Sequence, residues 1–462
     1  MKKILNILVT FFLLCNLSAI EKIITFDSSK IPSEKEMVVY VKANDWGPSL
    51  EKIVINAGKE IEIEYFESES YDFDDFEISR EARRASDHNK RLNWMEDEIE
   101  AKEIYLSDAY GNKVLSKSRY ITFIFKFEIE AELESPLNKS ILKNANPLYG
   151  YRVENEELGL NIYKITGIVN PLASKFRFSN MVFDEYSMNY AYFEPEEKSE
   201  KVPLIIWLHG ITEGGTNPYL PLLGIKSVSL AGDKIQSFFD KGAYVLIPQC
   251  PTAWLETTTL DAAGLRVWEP VDINGTVNKY TEPVRNFLGS FTDVPLEPAS
   301  YEPTAKTSWY TENLMILIED FVERNPNIDK NRIYIGGCSA GGYMTVNMLI
   351  EKPGYFAAAI PTCEIYLNNK ILDSEIQNLA KIPLWFVQSK NDEIAKDVNY
   401  VSPTFERIKK AGSKNLHLTM YDGVFDSSGR EFNGHYSWIY VFNNQPAENG
   451  KTVFQWLSEQ KK

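Results

Sequence analysis

Cysteine is scarce here, with four in 462 residues. That excludes a scaffold held by disulfides and a cysteine-rich zinc module. Histidine is equally scarce, at four, so any chemistry that needs an imidazole has few candidates. Basic side chains fall short of acidic ones, 49 against 65, giving a formal net charge of −16. An excess of acid on this scale argues against wholesale electrostatic binding of nucleic acid. Beyond the first twenty residues no run approaches the roughly 18 apolar residues of a spanning helix, so no transmembrane segment is expected. What is present is 44% hydrophobic and 13% aromatic residues, enough for a large core. At roughly 100–200 residues per domain, the length predicts two or three domains.

Lys2 and Lys3 precede an apolar run from Ile4 to Leu14, and the small residues Ser18 and Ala19 follow. This is the layout of a secretory signal peptide over residues 1–19, cleaved after Ala19. Its removal takes two lysines and no acid, so −16 becomes −18. Secretion or a periplasmic location follows as the expectation, with a lipid anchor at Cys15 as the alternative.

Residues 20–165 read as mostly β. Short β-prone runs, Met37–Val41 and Lys52–Ile55, flank the turn-rich Asn44-Asp45-Trp46-Gly47-Pro48, and Tyr120–Ile129 alternates. Ser79–Lys102 is charge-rich and has helical character. The region predicts a β-sandwich carrying an insertion. Between Glu60 and Glu77 lie nine acids and no Lys or Arg. None of that stretch has the ligand order of a calcium loop, so it reads as a solvated acidic face.

The pattern changes over residues 166–462. Continuous apolar runs appear at Leu204–Leu208, Tyr244–Ile247, Ile333–Ile335 and Leu384–Val387. Amphipathic segments lie between them: Leu314, Leu317, Ile318 and Phe321 share one helical face. Ser402-Pro403 reads as an N-cap and first-turn proline before Phe405–Ala411. Buried runs alternating with helices predict an α/β domain with a mostly parallel sheet covered on both faces.

Gly337-Cys338-Ser339-Ala340-Gly341-Gly342 follows the predicted strand Arg332–Gly336 and precedes a predicted helix ending near Glu351. This is the G-x-S-x-G elbow in its strand–turn–helix setting, with Ser339 as candidate nucleophile. Serine needs a base at neutral pH. His88 lies far away in the β region, His209 ends a strand, and His417 sits within the alternating run Leu416–Tyr421. His435 remains, on a polar loop at the carboxyl edge of the sheet. Asp392, just past Leu384–Val387, supplies the carboxylate in the chain order Ser…Asp…His, with Glu393 and Asp397 as competitors. Oxyanion donors are expected from the backbone N–H groups of Ala340 and of Ile211 in the loop His209–Gly215. Glu213 in that loop is a candidate catalytic acid or pocket residue, or a brace for the loop.

Leu204–Thr216, Pro248-Gln249-Cys250-Pro251, Arg332–Gly342, Phe356–Cys363, His435-Tyr436-Ser437-Trp438 and Gln455-Trp456-Leu457 occur in an order that resembles one family. It comprises secreted bacterial esterases related to polyhydroxybutyrate depolymerases and feruloyl esterases, often catalogued as predicted peptidases. Asp45-Trp46-Gly47-Pro48 is similar to the start of the immunoglobulin-like N-terminal domain that some of them carry. The resemblance implies an α/β-hydrolase domain after an immunoglobulin-like sandwich, with Ser339, Asp392 and His435 as the catalytic triad.

Two departures stand out. Gln388-Ser389 replaces the His-Gly often found before the acid. The stretch 252–307 is long and holds Trp254, Trp268 and five prolines, which predicts a lid-like insertion. Trp254, Trp268 and Trp438 are candidate pocket walls. Cys250 and Cys363 could pair in an oxidising compartment, and Cys338 packs beside the nucleophile.

The expected activity is hydrolysis of a small acyl, aryl or carbohydrate ester, with no metal and no cofactor. A peptidase on the same fold and a non-catalytic glycan-binding protein are the rivals. The N-terminal domain could also join copies of the chain.

Overall fold

A computed structural model describes residues 27–68, 75–83, 94–125, 150–183, 186–196, 200–215, 218–251, 254–255, 308, 310–426 and 429–462. The expected signal peptide with Cys15, His88, Trp268 and all of the insertion except Trp254 and Leu255 lie outside these residues.

Two sheets occupy the N-terminal region. The first takes the order β5 (Glu103–Ser107), β6 (Ser118–Ile124), β2 (Gly47–Ile61), β1 (Met37–Asn44) and β9 (Ile165–Val169). Its pairings are antiparallel except β1 with β9. The second is antiparallel, in the order β4 (Trp94–Glu98), β3 (Glu77–Arg83), β7 (Gly150–Asn155) and β8 (Leu160–Ile162). The sheets share apolar packing: Phe76, just before β3, sets its ring edge-on to Phe123 of β6 at 5.2 Å. The helical character expected over Ser79–Lys102 is corrected at Ser79–Arg83 and Trp94–Glu98, which are strands; residues 84–93 lie outside the described residues. Strands β3 and β4 pair across it from Ser79–Glu98 to Arg83–Trp94. Local charge patterning favoured a helix, but a sheet partner on each side of β3 outweighs a propensity worth only tenths of a kcal/mol per residue.

The larger sheet has eight strands in the order β10 (Arg177–Val182), β11 (Ser187–Phe193), β13 (Tyr244–Gln249), β12 (Val202–Leu208), β14 (Ile328–Cys338), β15 (Ala358–Thr362), β16 (Leu384–Ser389) and β17 (Leu416–Tyr421). The pairs β10–β11 and β11–β13 are antiparallel and the rest are parallel. Every residue of β12, β13, β15 and β16 is buried. This is why these strands read as unbroken apolar runs: helices cover both faces and leave no wet side.

On Thr311–Arg324, Leu314, Leu317, Ile318 and Phe321 are all buried. The helix that was expected over Phe405–Ala411 instead spans Val401–Lys410. Ser402 is not its cap: its N–H donates to the Asp397 carboxylate at 3.0 Å, so a side chain from five residues upstream meets the first-turn donor. Pro403 falls in the first turn, where its missing N–H costs nothing.

The β1–β2 turn reaches the larger sheet's side of the molecule. Asp45 accepts from Lys226 at 2.7 Å and from Asn443 at 2.9 Å. Among the described residues no helix is long and apolar enough to cross a membrane.

Candidate active site

Parallel strands present their carboxyl ends along one edge, and the expected site residues gather there. Ser339 stands between β14 and the helix Ala340–Glu351. Its backbone is in the left-handed half of the map, φ 55 and ψ −118, a strained conformation for a residue with a Cβ. Neighbours hold it there: Ser339 N–H donates to Thr362 O at 3.0 Å and Tyr343 N–H donates to Ser339 O at 2.9 Å. Gly341 lets the helix close onto β12, since a Cβ there would lie 2.1 Å from the Leu208 carbonyl oxygen.

His435 lies on the single turn Gly434–Tyr436, pinned by Asn433, whose side-chain oxygen accepts the His435 N–H at 2.9 Å. Its Nε2 lies 2.8 Å from Ser339 Oγ, and its Nδ1 lies 2.8 Å from Asp392 Oδ2. All three side chains are buried, with Ser339 the most exposed at 8%.

The other oxygen of Asp392 accepts backbone N–H groups from Ile394 at 2.9 Å and Ala395 at 2.7 Å. Burial alone would raise this carboxyl; the adjacent His435 and the three hydrogen bonds outweigh it and hold the group below the ordinary carboxylate value. Gln388, which stands where the resembling family often has histidine, spans the acid's loop. Its Nε2 donates to Ala395 O at 2.7 Å and to Asp392 Oδ2 at 3.3 Å.

The loop after β12 is tied to the end of β13 by three bonds. Gly215 N–H donates to Cys250 O and Gln249 Nε2 donates to Glu213 O, both at 2.9 Å. Cys250 N–H donates to His209 Nε2 at the same distance. His209 is fully buried, which depresses its pKa to about 4 even though the Gly210 carbonyl opposes the shift. Accepting at Nε2 requires the proton at Nδ1, which donates to Gly210 O at 2.6 Å. The amide that carries the Gly210 carbonyl also carries the Ile211 N–H, pointing the opposite way, so holding one orients the other. Glu213 is buried beneath this loop, against Gly210 and Gly224.

Trp254 and Trp438, expected as pocket walls, are both buried in the core. Trp254 lies 5.1 Å from the His209 ring and edge-on to Tyr310 at 6.1 Å. Trp438 meets the His435 ring edge-on at 5.9 Å and Tyr436 at 4.7 Å. Trp254 thus packs against His209 and Trp438 against His435. His417 stacks on Trp385 at 4.7 Å within the β16–β17 pair. Cys250, Cys338 and Cys363 are buried and form no disulfide with one another, so the Cys250–Cys363 bridge is not formed. Burial pushes the thiols of Cys338 and Cys363 well up, which makes them inert. Among the described residues no group of His, Cys, Asp and Glu could hold a metal ion.

Sequence reasoning did not single out Asn433, Gln388 as a brace, or Glu364. Glu364 is a fully buried carboxyl two residues past β15. An acid directly after an apolar strand was the available signal.

Residues 306–420 match the Prolyl oligopeptidase family, Peptidase_S9. None of the curated proteins matches the chain. Among solved structures, a thermostable esterase is 21% identical with a TM-score of 0.61, over 92% of this chain and 99% of that one. An S-formylglutathione hydrolase from Agrobacterium tumefaciens is 16% identical with a TM-score of 0.38, over 62% of this chain and 95% of that one. A Pyrococcus horikoshii acylaminoacyl peptidase is 15% identical with a TM-score of 0.38, over 66% of this chain and 48% of that one. The eight-stranded sheet, its elbow, the family match over residues 306–420 and the likeness to the thermostable esterase together support an α/β-hydrolase fold for the larger unit.

Proposed function

We propose that this chain is a secreted serine esterase that hydrolyses carboxylic esters through an acyl-enzyme on Ser339. One observation carries the reading: Ser339 Oγ, His435 and Asp392 form an unbroken relay of two 2.8 Å contacts. Oγ attacks the ester carbonyl carbon while Nε2 takes its proton, and Asp392 stabilises the resulting imidazolium. The oxyanion accepts from the N–H groups of Ala340 and Ile211. Nε2 then protonates the departing alcohol oxygen as the ester C–O bond breaks. Water, activated by the same base, releases the acid. No step calls for a metal or cofactor.

Small acyl, aryl and carbohydrate esters are the substrate class, selected by the insertion 252–307. Because β9 (Ile165–Val169) pairs with β1, the boundary moves from 165 to 169: residues 20–169 are the accessory immunoglobulin-like module, residues 170–462 the catalytic domain, and residues 1–19 the export signal. A fluorophosphonate probe should label the wild type and leave Ser339→Ala unlabelled; equal labelling of the two would sink the assignment. The N-terminal residue of the exported protein should be Ile20, whereas a lipid-modified Cys15 would mark an anchored form.

A peptidase is the second reading, favoured by the match of residues 306–420 to the Prolyl oligopeptidase family. A panel of short-chain, feruloyl and acetyl-sugar esters beside blocked peptides separates the two. The esterase reading expects turnover of esters and none of peptides.

A further inference from the structure

Glu364 takes no part in the relay, yet it is built into the wall between the nucleophile and the acid. Its backbone follows Cys363, which is held at φ 37. The nucleophile helix presses directly on it: a Cβ on Gly342 would lie 2.8 Å from both Cα and Cβ of Glu364. One carboxyl oxygen accepts the Tyr366 N–H at 2.5 Å. The other, Oε1, is buried and has no partner among the described residues. The Tyr366 ring stacks on Tyr343 of the nucleophile helix at 5.0 Å.

Titratable groups face Glu364 from each packed element. They are the Asp397 carboxylate, the Tyr366 hydroxyl, the Tyr400 hydroxyl before Val401–Lys410, and the Cys363 thiol at the end of β15. Tyr400 and Cys363 also face Asp392, and Tyr366 also faces Glu375 and Glu351. Among the described residues the charged neighbour of Glu364 is thus another acid, and apart from the Tyr366 N–H no group there favours an anion.

We propose that Glu364 is a positioning residue that works as a neutral carboxylic acid, and that its ionisation at alkaline pH loosens the seat of Ser339 and lowers turnover. The inference rests on the serine-hydrolase reading above. Burial, with a further push from Asp397 and against the Tyr366 N–H, holds the carboxyl up at about 8. Above that pH the site must either keep an uncompensated anion or move the loop away from Gly342, and the Ser339 turn shares that helix.

The sign for stability follows. The folded state holds a proton that the unfolded chain releases near 4.5, so stability falls as pH rises from there to about 8 and levels beyond.

The test compares wild type with Glu364→Gln, a neutral isostere. Ester turnover is followed by titrating released acid, with kcat and KM resolved, and thermal unfolding is followed across pH. In the wild type kcat should fall about fivefold between pH 8 and pH 9 with little change in KM, and Glu364→Gln should lack that fall. The variant's gain in Tm should grow from pH 5 to pH 8 and then stay constant. An identical alkaline limb in both proteins, with a Tm difference independent of pH, leaves Glu364 merely structural and overturns the proposal.

If the variant does not fold, the infrared carbonyl band of a protonated carboxyl in the wild type decides. The band should be present at pH 7 and absent at pH 9.5; its absence at pH 7 also overturns the proposal. Failure of the hydrolase reading looks different, because the wild type would then resist the fluorophosphonate probe at every pH.

Discussion

His209 donates through Nδ1 to the carbonyl of Gly210, its own neighbour in the chain, at 2.6 Å. With Nε2 occupied by the Cys250 N–H, the imidazole is a fixed strut, and its pKa of about 4 keeps it neutral through the physiological range. Replacing it with Ala frees the Gly210–Ile211 amide. Since loss of one oxyanion donor costs about 100- to 1,000-fold in kcat, a misaimed one should cost about 10- to 100-fold. Steady-state kinetics should show the loss in kcat with KM little changed. A variant at wild-type kcat would mean that Ile211 N–H takes no part in oxyanion binding.

Asp392→Asn tests the acid of the relay. The variant can no longer hold the correct tautomer of His435, and kcat should drop by about 10,000-fold. Its pH dependence is also informative, because the folded carboxyl lies below its ordinary value. The stabilisation this provides is full above the unfolded value of 3.8 and disappears as pH falls through the lowered folded value. Acidification should therefore erode the Tm of the wild type more than that of Asp392→Asn in this range. Parallel curves would count against an ion-pairing role for Asp392.

Gly341→Ala is expected to be severe. The new methyl would arrive 2.1 Å from a backbone oxygen of β12, where no side-chain rotation can relieve it. Overpacking of this kind costs about 1–3 kcal/mol or more. Chemical denaturation should show a lower midpoint, and the fluorophosphonate rate should fall with it as the elbow is pushed out of place.

Asp45→Ala removes the acceptor shared by Lys226 and Asn443. Both charges are largely shielded, with side-chain exposures of 25% for Lys226 and 14% for Asp45. Leaving the ammonium unpaired should cost about 1–2 kcal/mol, between surface and fully buried pairs. Thermal unfolding of the variant should start earlier, and Asp45→Asn should recover part of the loss through its remaining oxygen.

The serine elbow was legible because it is local: three glycines around Ser339 meet constraints set within a few residues. The apolar runs of β12, β13, β14 and β16 were legible for a related reason, since a strand covered on both faces has no polar positions to break it. Scarcity of histidine narrowed the base to His435 by elimination. Ser79–Arg83 misled, because its strand state depends on β7, some seventy residues away.

What sequence alone determined about this protein is the identity and order of Ser339, Asp392 and His435 as candidates, and the alternation of buried strand with amphipathic helix. Tertiary structure decided the rest. It packed Trp254 against His209 and Trp438 against His435, made His209 a neutral strut, and buried Glu364 against the nucleophile helix beside a second acid. Those outcomes depend on distances between segments far apart in the chain. Burial and pairing, which set both packing and proton affinity, arise only when such segments meet.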